Sequence, residues 1–330
     1  MQKRNGISHG AALQVAALRR AGLQAELLDA TAALRNPRFR IPHQAASAYV
    51  FHSGGPQLAA MVSSVLPQAR HAWRIAYWAW ELAAPPKDWP QPGSLVQEIW
   101  TPSRFARDSL ARRFTQPMHV VPHAIPVAPQ PRFRPDQPFT VLTMADSRSS
   151  YVRKNPAGAV RAFCQAFGPD SPARLLVKLN GKGVDRAELL GDAQAWPNIQ
   201  VIDGFLDDDA LRSLYLSADV LLSLHRAEGF GLPMLEAMAL GVPVIATAYS
   251  GNLDFMTEVT GMLVPARTVP VHDTAVYMRY ADAVWADPDE AAAAAALRRL
   301  AGDPGFYAVM AQAAYRAAEA LATGWQLPPG

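Results

Sequence analysis

Apolar and polar residues follow two different periodicities along this chain of 330 residues. Short apolar runs bounded by polar residues predict buried strands, and apolar residues at helical spacing predict helices between them. In the first half, the pattern predicts helices at residues 10–20 and after the cap Ser103. It predicts strands there at residues 25–28, 49–52, 74–79, 98–101 and 119–121. Alternating strands and helices are typical of an α/β fold with parallel sheets.

The second half contains one segment with a clear strand, loop, helix and strand order. The apolar residues 220–224 predict a buried strand, and Gly229 and Gly231 then allow a sharp turn and a close approach of the backbone to a ligand. A helix is predicted to start near Leu232 and to stop at Gly241, before the next buried strand.

Two glutamates, Glu228 and Glu236, flank the start of that predicted helix. The free amides of a helix N-terminus attract phosphate oxygens, and a carboxylate accepts hydrogen bonds from two hydroxyl groups. The arrangement therefore suits a ligand with phosphate in the middle and polyols at both ends, such as a nucleotide diphosphate sugar. The alternative is that Glu228 is a turn residue and Glu236 an acid placed favourably by the helix dipole.

The stretch EGFGLPMLEAMALGVPVIAT, residues 228–247, resembles the signature of the retaining glycosyltransferases of family 4. The resemblance implies an α/β, GT-B fold with two Rossmann-like domains facing a cleft. It also implies that Glu228 contacts a hydroxyl of the donor sugar and has a catalytic role, and that Glu236 holds the ribose. The other donor-binding residues that it implies in the C-terminal half are Gly229, Phe230, Gly231, Leu232, Gly251 and Asn252.

The same resemblance places two cations, Arg148 and Lys154, on the donor pyrophosphate, after the predicted strand PFTVLTMA. Breaking the bond between sugar and phosphate leaves negative charge on the diphosphate, and fixed cations stabilise that charge without a metal. The alternative is a solvated loop that opens the next helix. Lys178, at the end of another strand, is a weaker candidate for the nucleotide, and Arg153 is given no role.

The N-terminal half is similar to family 4 enzymes that build bacterial surface polysaccharides, through FHSGGPQL, IAYWAWELAAPPKDW, EIWTPSRFARDSL and VPHAIPV. Family members begin with a strand before a glycine-containing loop, and here that strand is predicted to be absent or truncated. The resemblance makes Gly6, His9 and Gly10 candidates at the cleft, although Ser8 or His9 equally fits a helix cap. Relatives also carry a histidine after the strand at 74–79. Glu81 is the nearest polar substitute here, and His52 is a further cleft candidate.

Length and linker composition predict the domain boundaries. The chain is about twice the size of a typical domain, and the proline-rich residues 122–138 are typical of a linker. We expect an N-terminal acceptor-side domain at residues 1–135 and a nucleotide-sugar-binding domain at residues 136–310. By resemblance, a C-terminal helix within residues 311–330 returns to the first domain.

The predicted function is the transfer of a hexose, with retention, from a nucleotide diphosphate sugar to a saccharide or lipid-linked acceptor. The donor is a substrate, so no cofactor is expected. No metal is expected either, because Asp207 and Asp209 are better explained as helix-capping residues. The alternatives are a GT-B module that binds sugar nucleotides without transfer and a sugar-nucleotide epimerase.

Charge, cysteine content and hydropathy predict the environment of the chain. Residues 1–135 hold 16 Lys and Arg against 6 Asp and Glu, a balance of +10, which predicts peripheral contact with an anionic membrane. No motif for nucleic acid is present. The single cysteine, Cys164, excludes a disulfide within the chain. Without an apolar signal or spanning segment, we expect a cytoplasmic protein at the inner face of the membrane.

Overall fold

The computed structural model describes residues 6–36, 38–127, 137–181, 183–273 and 275–328. Within the predicted linker, residues 128–136 lie outside the described residues. The chain divides into two compact units. The N-terminal unit comprises Met1–Ala124 and Trp325–Gly330, and the C-terminal unit comprises Ile125–Gly324.

The N-terminal unit contains a four-stranded parallel sheet in the order β1-β2-β3-β4. Its elements are α1 (Gly6–Arg20), α2 (Thr31–Arg35), β1 (Ala48–His52), α3 (Leu58–Ser64), β2 (Trp73–Tyr77), β3 (Glu98–Thr101), α4 (Arg104–Leu110) and β4 (Met118–Val120). Four predicted strands are thus confirmed within two residues at each end. Ser103 caps α4 as predicted, since its Oγ accepts a hydrogen bond of 3.1 Å from the amide of Ala106.

The strand predicted at residues 25–28 is wrong. Residues 23–30 follow α1 outside any helix or strand. Leu23 and Leu27 of this segment are about half exposed, at 45% and 57%. Among the described residues, β1 pairs only with β2, so this segment has neither a partner strand nor a buried face to stabilise an extended conformation.

The C-terminal unit contains a six-stranded parallel sheet in the order β10-β9-β8-β5-β6-β7. Its elements as far as the last strand of that sheet are β5 (Thr140–Asp146), α5 (Tyr151–Lys154), α6 (Pro156–Ala166), β6 (Arg174–Asn180), α7 (Arg186–Leu190), β7 (Ile199–Asp203), α8 (Asp208–Ser217), β8 (Val220–Ser223), α9 (Leu232–Ala239), β9 (Val244–Thr247) and β10 (Met262–Val264). The carboxyl ends of β5, β8 and β9 lie side by side at one edge, because β8 pairs with both neighbours. This edge positions the loops that follow those three strands.

Continuous apolar strands and the helices packed on them form the core of this unit. Val220 and Leu222 of β8 are fully buried beside Val141, Leu175 and Ile245, as expected for strands covered on both faces. The remaining elements are β11 (Ala266–Pro270), β12 (Val284–Pro288), α10 (Glu290–Gly302) and α11 (Pro304–Thr323). Helices α6 and α10 each contribute buried residues to this core.

Strands β11 and β12 form a separate antiparallel pair. We call these two strands and the residues between them, 266–288, the hairpin arm. The sequence pattern did not predict it, because β11 is mostly exposed and lacks an apolar run.

Aspartates cap helices in the C-terminal unit, as the sequence predicted. Asp207 accepts from the amide of Ala210 at 2.8 Å and begins α8. After α11, Trp325 belongs to the N-terminal unit, where its Nε1 donates to the carbonyl of Pro122 at 2.9 Å. The return of the chain is therefore made by the residues after α11, while the helix itself belongs to the C-terminal unit.

Candidate active site

The loop between β8 and α9 carries the first glutamate of the predicted pair. Gly231 adopts a φ of +104° directly before Leu232, the first residue of α9, and Pro233 occupies the first turn. A positive φ favours glycine, and proline is tolerated where the helix amide has no intrahelical partner. The predicted start of this helix is confirmed, and Glu228 lies just before its N-terminus.

The loop that follows β9 fixes the backbone of Glu228. The Glu228 amide donates to Ser250 Oγ at 2.8 Å, and its carbonyl accepts from the amide of Gly251 at 2.9 Å. A Cβ on Gly251 would lie 2.5 Å from the carbonyl oxygen of Gly229. The two loops therefore approach so closely that only glycine fits at this position.

Two cations hold the buried carboxylate of Glu228, which is 7% exposed. Lys154 Nζ donates to its Oε1, and Arg153 Nη1 lies 3.1 Å from its Oε2. Burial alone would raise the pKa of Glu228, but the charges of Lys154 and Arg153 outweigh it and lower the pKa to about 2. The carboxylate is thus ionised at neutral pH and remains a hydrogen-bond acceptor.

Arg153 is the residue of this cluster that sequence reasoning missed. It is 2% exposed, and its guanidinium donates to the carbonyls of Ala227 at 2.7 Å and Ser149 at 2.9 Å. It therefore bridges the loop after β5 and the loop after β8. Its position next to Lys154 was the available signal, but adjacency along the chain does not show which way a side chain points.

Arg148 is not placed on Glu228. It pairs with Asp146, with 2.9 Å between Arg148 Nε and Asp146 Oδ1, and its side chain is 42% exposed. Burial would raise the pKa of Asp146, but hydrogen bonds from Arg148 and the charges of Arg148 and Lys154 lower it. Asp146 thus lies near both predicted cations. A role for Arg148 at a pyrophosphate stays a prediction.

Glu236 lies in α9 and is fixed by a residue of a different helix. Tyr215 of α8 is buried, and its hydroxyl donates to Glu236 Oε2 at 2.8 Å. Burial and the nearby carboxylate raise the pKa of Tyr215 well above its usual value, so the phenol stays protonated and donates. No pattern in the sequence predicted this contact.

Lys178 is buried within the sheet and has a structural set of partners. Its Nζ donates to the carbonyl of Gly204, to Asn180 Oδ1 at 2.8 Å and to the carbonyl of Leu179 at 3.1 Å. It links the ends of β6 and β7. The structure does not bring Lys178 into the cluster formed by Glu228, Arg153 and Lys154.

A buried network lies beneath the loop after β8. His225 Nε2 is 3.1 Å from the carbonyl of Tyr249 and 3.2 Å from Asn252 Oδ1, and Asn252 Nδ2 donates to the carbonyl of Thr247 at 3.1 Å. Burial lowers the pKa of His225. Asn252 thus holds the two loops together from below. The sequence predicted its place after β9 and missed His225.

A pocket opens at this edge of the sheet. Its lining includes Met144, Lys154, Ser223, Glu228, Pro233 and Met234. Phe230 is buried, with its ring 5.1 Å from that of Phe255. The pocket is small, and the ion pair of Lys154 and Glu228 lies in its lining, close to the start of α9.

The N-terminal unit holds the remaining candidates. Gly10 packs on His123, since a Cβ there would lie 2.5 Å from the imidazole Cε1. His52 Nε2 is 2.5 Å from Gln14 Oε1, and its ring stacks on Tyr77 at 4.4 Å. Gly6 and His9 lie in the first turns of α1, and Glu81 is half-buried after β2. His52 and Gly10 therefore belong to one cluster at the carboxyl edge of this sheet.

The described part of the chain shows neither a metal cluster nor a membrane span. No group of three or more His, Cys, Asp or Glu side chains among the described residues is arranged to hold a metal ion. No helix formed by those residues is both long and apolar enough to cross a bilayer.

Residues 135–273 match the family described as Glycosyl transferases group 1. The match covers fewer than half of the residues but contains the whole Glu228 cluster. The matched residues lie within the C-terminal unit. The mixed α/β architecture with parallel sheets is that of GT-B glycosyltransferases, which confirms the predicted fold class.

Two solved structures show the same fold. The Anabaena HepE structure with UDP-glucose has a TM-score of 0.65 at 10% identity, over 97% of this chain and 92% of that one. The pneumococcal O-GlcNAc transferase GtfA, in complex with UDP and GlcNAc, has a TM-score of 0.61 at 17% identity, over 85% of this chain and 55% of that one.

Curated relatives match through part of their length. A D-inositol 3-phosphate glycosyltransferase of Salinispora arenicola is 33% identical over 142 residues, which are 42% of this chain and 27% of the relative. The serotype-specific mannosyltransferase WbdA of Escherichia coli is 32% identical over 130 residues, 38% of this chain and 15% of the relative. The chain therefore spans less than a third of either relative.

Proposed function

We propose that this protein is a retaining glycosyltransferase of family 4, which moves a hexose from a nucleotide diphosphate sugar to a saccharide or lipid-linked acceptor. The observation that carries the proposal is the buried Glu228 carboxylate, paired with Lys154 and Arg153 at the start of α9. The group 1 match and the sequence signature around Glu228 support the same assignment.

Each residue of the site has a role in this proposal. Lys154 neutralises charge on the departing diphosphate, and the free amides at the start of α9 add to that effect. The Glu228 carboxylate accepts a hydrogen bond from a hydroxyl group of the sugar, and the Glu236 carboxylate accepts hydrogen bonds from the ribose hydroxyl groups. Cations and helix amides suffice for charge stabilisation, so the reaction is proposed to be independent of metal.

The proton of the acceptor is proposed to go to the donor phosphate itself. No protein base is then required, and Glu81 in the N-terminal unit orients a substrate. Water could replace the acceptor and hydrolyse the nucleotide sugar, so the reaction requires that water be excluded from the donor site.

The test is incubation of the full chain with labelled UDP- and GDP-sugars and lipid-linked saccharide acceptors, followed by separation of the products. A glycosylated acceptor with the donor's anomeric configuration is expected. Altered sugar nucleotide would instead indicate an epimerase, and bound donor without product would indicate a module without transfer activity.

Variants at two residues sharpen this test. Lys154→Ala and Glu236→Ala should reduce transfer by at least about 100-fold, because each removes a contact to the donor, and Lys154→Ala also removes a partner of the buried Glu228 carboxylate. Lys87→Ala, at an exposed lysine of the N-terminal unit, is the matched control. Equal transfer rates in all three proteins would contradict the proposed site.

We also propose peripheral contact with an anionic membrane at the cytoplasmic face, through the N-terminal unit. Exposed arginines support this proposal, namely Arg35, Arg38, Arg40, Arg104 and Arg112. Co-sedimentation with anionic vesicles and not with neutral ones is expected. Equal recovery with both would contradict the membrane contact and leave the transferase proposal in place.

A further inference from the structure

The hairpin arm contacts both loops that build the Glu228 cluster. Asp273, in the arm, accepts from the hydroxyl of Ser150, which precedes α5. Asp287, also in the arm, pairs with Arg226 of the loop after β8, with 2.6 Å between Asp287 Oδ1 and Arg226 Nη1. The arm is thus tied by buried or partly buried side chains to the two chain segments that supply the cations and the carboxylate.

Ser150 is held in an unusual conformation by this contact. It is 2% exposed and has a φ of +72°, which is uncommon for a residue with a side chain. Its Oγ donates to Asp273 Oδ2 and accepts from the amide of Arg153 at 3.1 Å. One hydroxyl therefore connects the hairpin arm to the first helical turn that carries Arg153 and Lys154.

The Asp273 side chain is also held by backbone amides of its own turn. Its Oδ1 accepts from the amides of Ala275 at 2.7 Å and Val276 at 2.9 Å. It is 4% exposed. One carboxylate oxygen thus closes a turn of the arm while the other holds Ser150, so a buried carboxylate has hydrogen bonds on both oxygens.

The second tie reaches the same cluster from the other loop. The Arg226 amide donates to the carbonyl of Arg153 at 2.8 Å, and the Arg226 carbonyl accepts from the amide of Ala286 at 2.9 Å. The Arg226 guanidinium lies 5.8 Å from the ring of Trp285. Arg153 is therefore linked to the hairpin arm twice, through Ser150 and through Arg226.

We propose that Asp273 and Ser150 are positioning residues of the donor site. Together they fix the turn that presents Arg153 and Lys154, and through those cations they place the Glu228 carboxylate for the donor. The proposal rests on the proposed function for the identity of the ligand. Neither residue was a candidate in the sequence, because Asp273 lies 123 residues beyond Ser150.

The test uses the full chain with Ser150→Ala, Asp273→Ala and Asp273→Asn. Asn at 273 keeps the oxygen that closes the turn and can still donate to Ser150 Oγ, so it is the conservative variant. Asp303→Ala is the matched control, since it removes a cap that Asp303 Oδ1 provides to the amide of Phe306 in α11. Two readouts are measured: amide hydrogen exchange at residues 151–155, and the affinities for UDP and GDP.

In Ser150→Ala and Asp273→Ala we expect roughly tenfold faster exchange of the Arg153 amide and roughly tenfold weaker nucleotide binding, because a hydrogen bond to a charged group is lost in each. Asp273→Asn should recover most of both. The control should lower the melting temperature without changing either readout. A merely structural role would shift the melting temperature alone.

The outcomes separate this inference from the proposed function. Unchanged exchange at Arg153 in both alanine variants would overturn the positioning role whatever the protein binds. Faster exchange with unchanged affinity would overturn its link to the donor. If the wild-type protein binds neither nucleotide while exchange still changes as expected, the proposed donor is wrong and the positioning of the cations stands.

Discussion

Glu228 is ionised because two cations surround it, and this pairing makes the free energy of unfolding depend on pH. Its pKa falls from 4.5 to about 2 on folding, so this ionised group stabilises the fold by about 3 kcal/mol above pH 4.5. A lowered carboxylate pKa means that the contribution is lost as the pH falls from 4.5 towards 2. Urea unfolding across that range should show a steeper loss of stability in the wild type than in Glu228→Gln. Glu319→Gln, at an exposed glutamate of α11, should follow the wild type, and a Glu228→Gln profile that also does so would contradict the pairing.

Tyr215 carries a second prediction at the residue scale. Tyr215→Phe removes the donor that holds Glu236 Oε2, and we expect a loss of about 1–2 kcal/mol in the free energy of unfolding. Binding of the nucleotide should weaken as well, because the Glu236 carboxylate is no longer oriented. Urea unfolding and nucleotide titration measure the two effects. Tyr315→Phe in α11 is the control, and equal behaviour of both variants would argue against the orienting role.

Two loops at the carboxyl edge of the sheet, after β8 and after β9, meet at Gly251. A Cβ there would lie 2.5 Å from the Gly229 oxygen and 2.7 Å from Phe230 Cα, so Gly251→Ala must displace the loop that carries Glu228. We expect a loss of about 1–3 kcal/mol of stability together with loss of nucleotide binding. Gly168→Ala, where nothing lies within 4 Å of the added Cβ, should stay within about 0.5 kcal/mol of the wild type. Thermal unfolding and titration compare the pair, and a Gly251→Ala protein that binds normally would show that the loops tolerate separation.

At the scale of the whole molecule, each unit should lose stability in acid through its own buried groups. Burial lowers the pKa of His123, in the N-terminal unit, to about 3. The folded state favours the neutral imidazole, because protonation would bury a charge. The free energy of unfolding therefore decreases as the pH falls from 6.5, the ordinary histidine pKa, towards 3. His52 has the same direction of shift but is half-buried, and we expect a smaller effect from it. His225, in the C-terminal unit, has the same direction of shift, so that unit also loses stability as the pH falls from 6.5, and Glu228 adds a further loss below pH 4.5.

Hydrogen exchange at a series of pH values measures each unit separately. The amides of β1 to β4 should lose protection as the pH falls from 6.5, and those of β5, β8 and β9 should show an additional loss below pH 4.5. His123→Asn should reduce the pH dependence of the first group only. An equal reduction of the pH dependence in both groups would contradict independent acid responses.

Elements whose signal is local could be predicted from the sequence. The apolar run of β8, the positive φ required of Gly231 and the cap Ser103 depend on neighbours in the chain, and each was predicted from them. The pair Glu228 and Glu236 was visible for the same reason, since its spacing around a helix start is a property of one segment. The segment at residues 25–28 failed because a strand also needs a partner, which a local pattern does not reveal.

Which side chains meet depends on how distant segments pack together, and no local pattern predicts it. Arg153 rather than Arg148 reaches Glu228, Tyr215 reaches Glu236 from another helix, and Asp273 reaches Ser150 across 123 residues. Lys178 turned inward to the carbonyl of Gly204. Long side chains have several rotamers of similar energy in an isolated segment, and burial against distant partners selects one of them. The residue types of the site could therefore be predicted from the sequence, while their burial and ion pairing depend on tertiary packing.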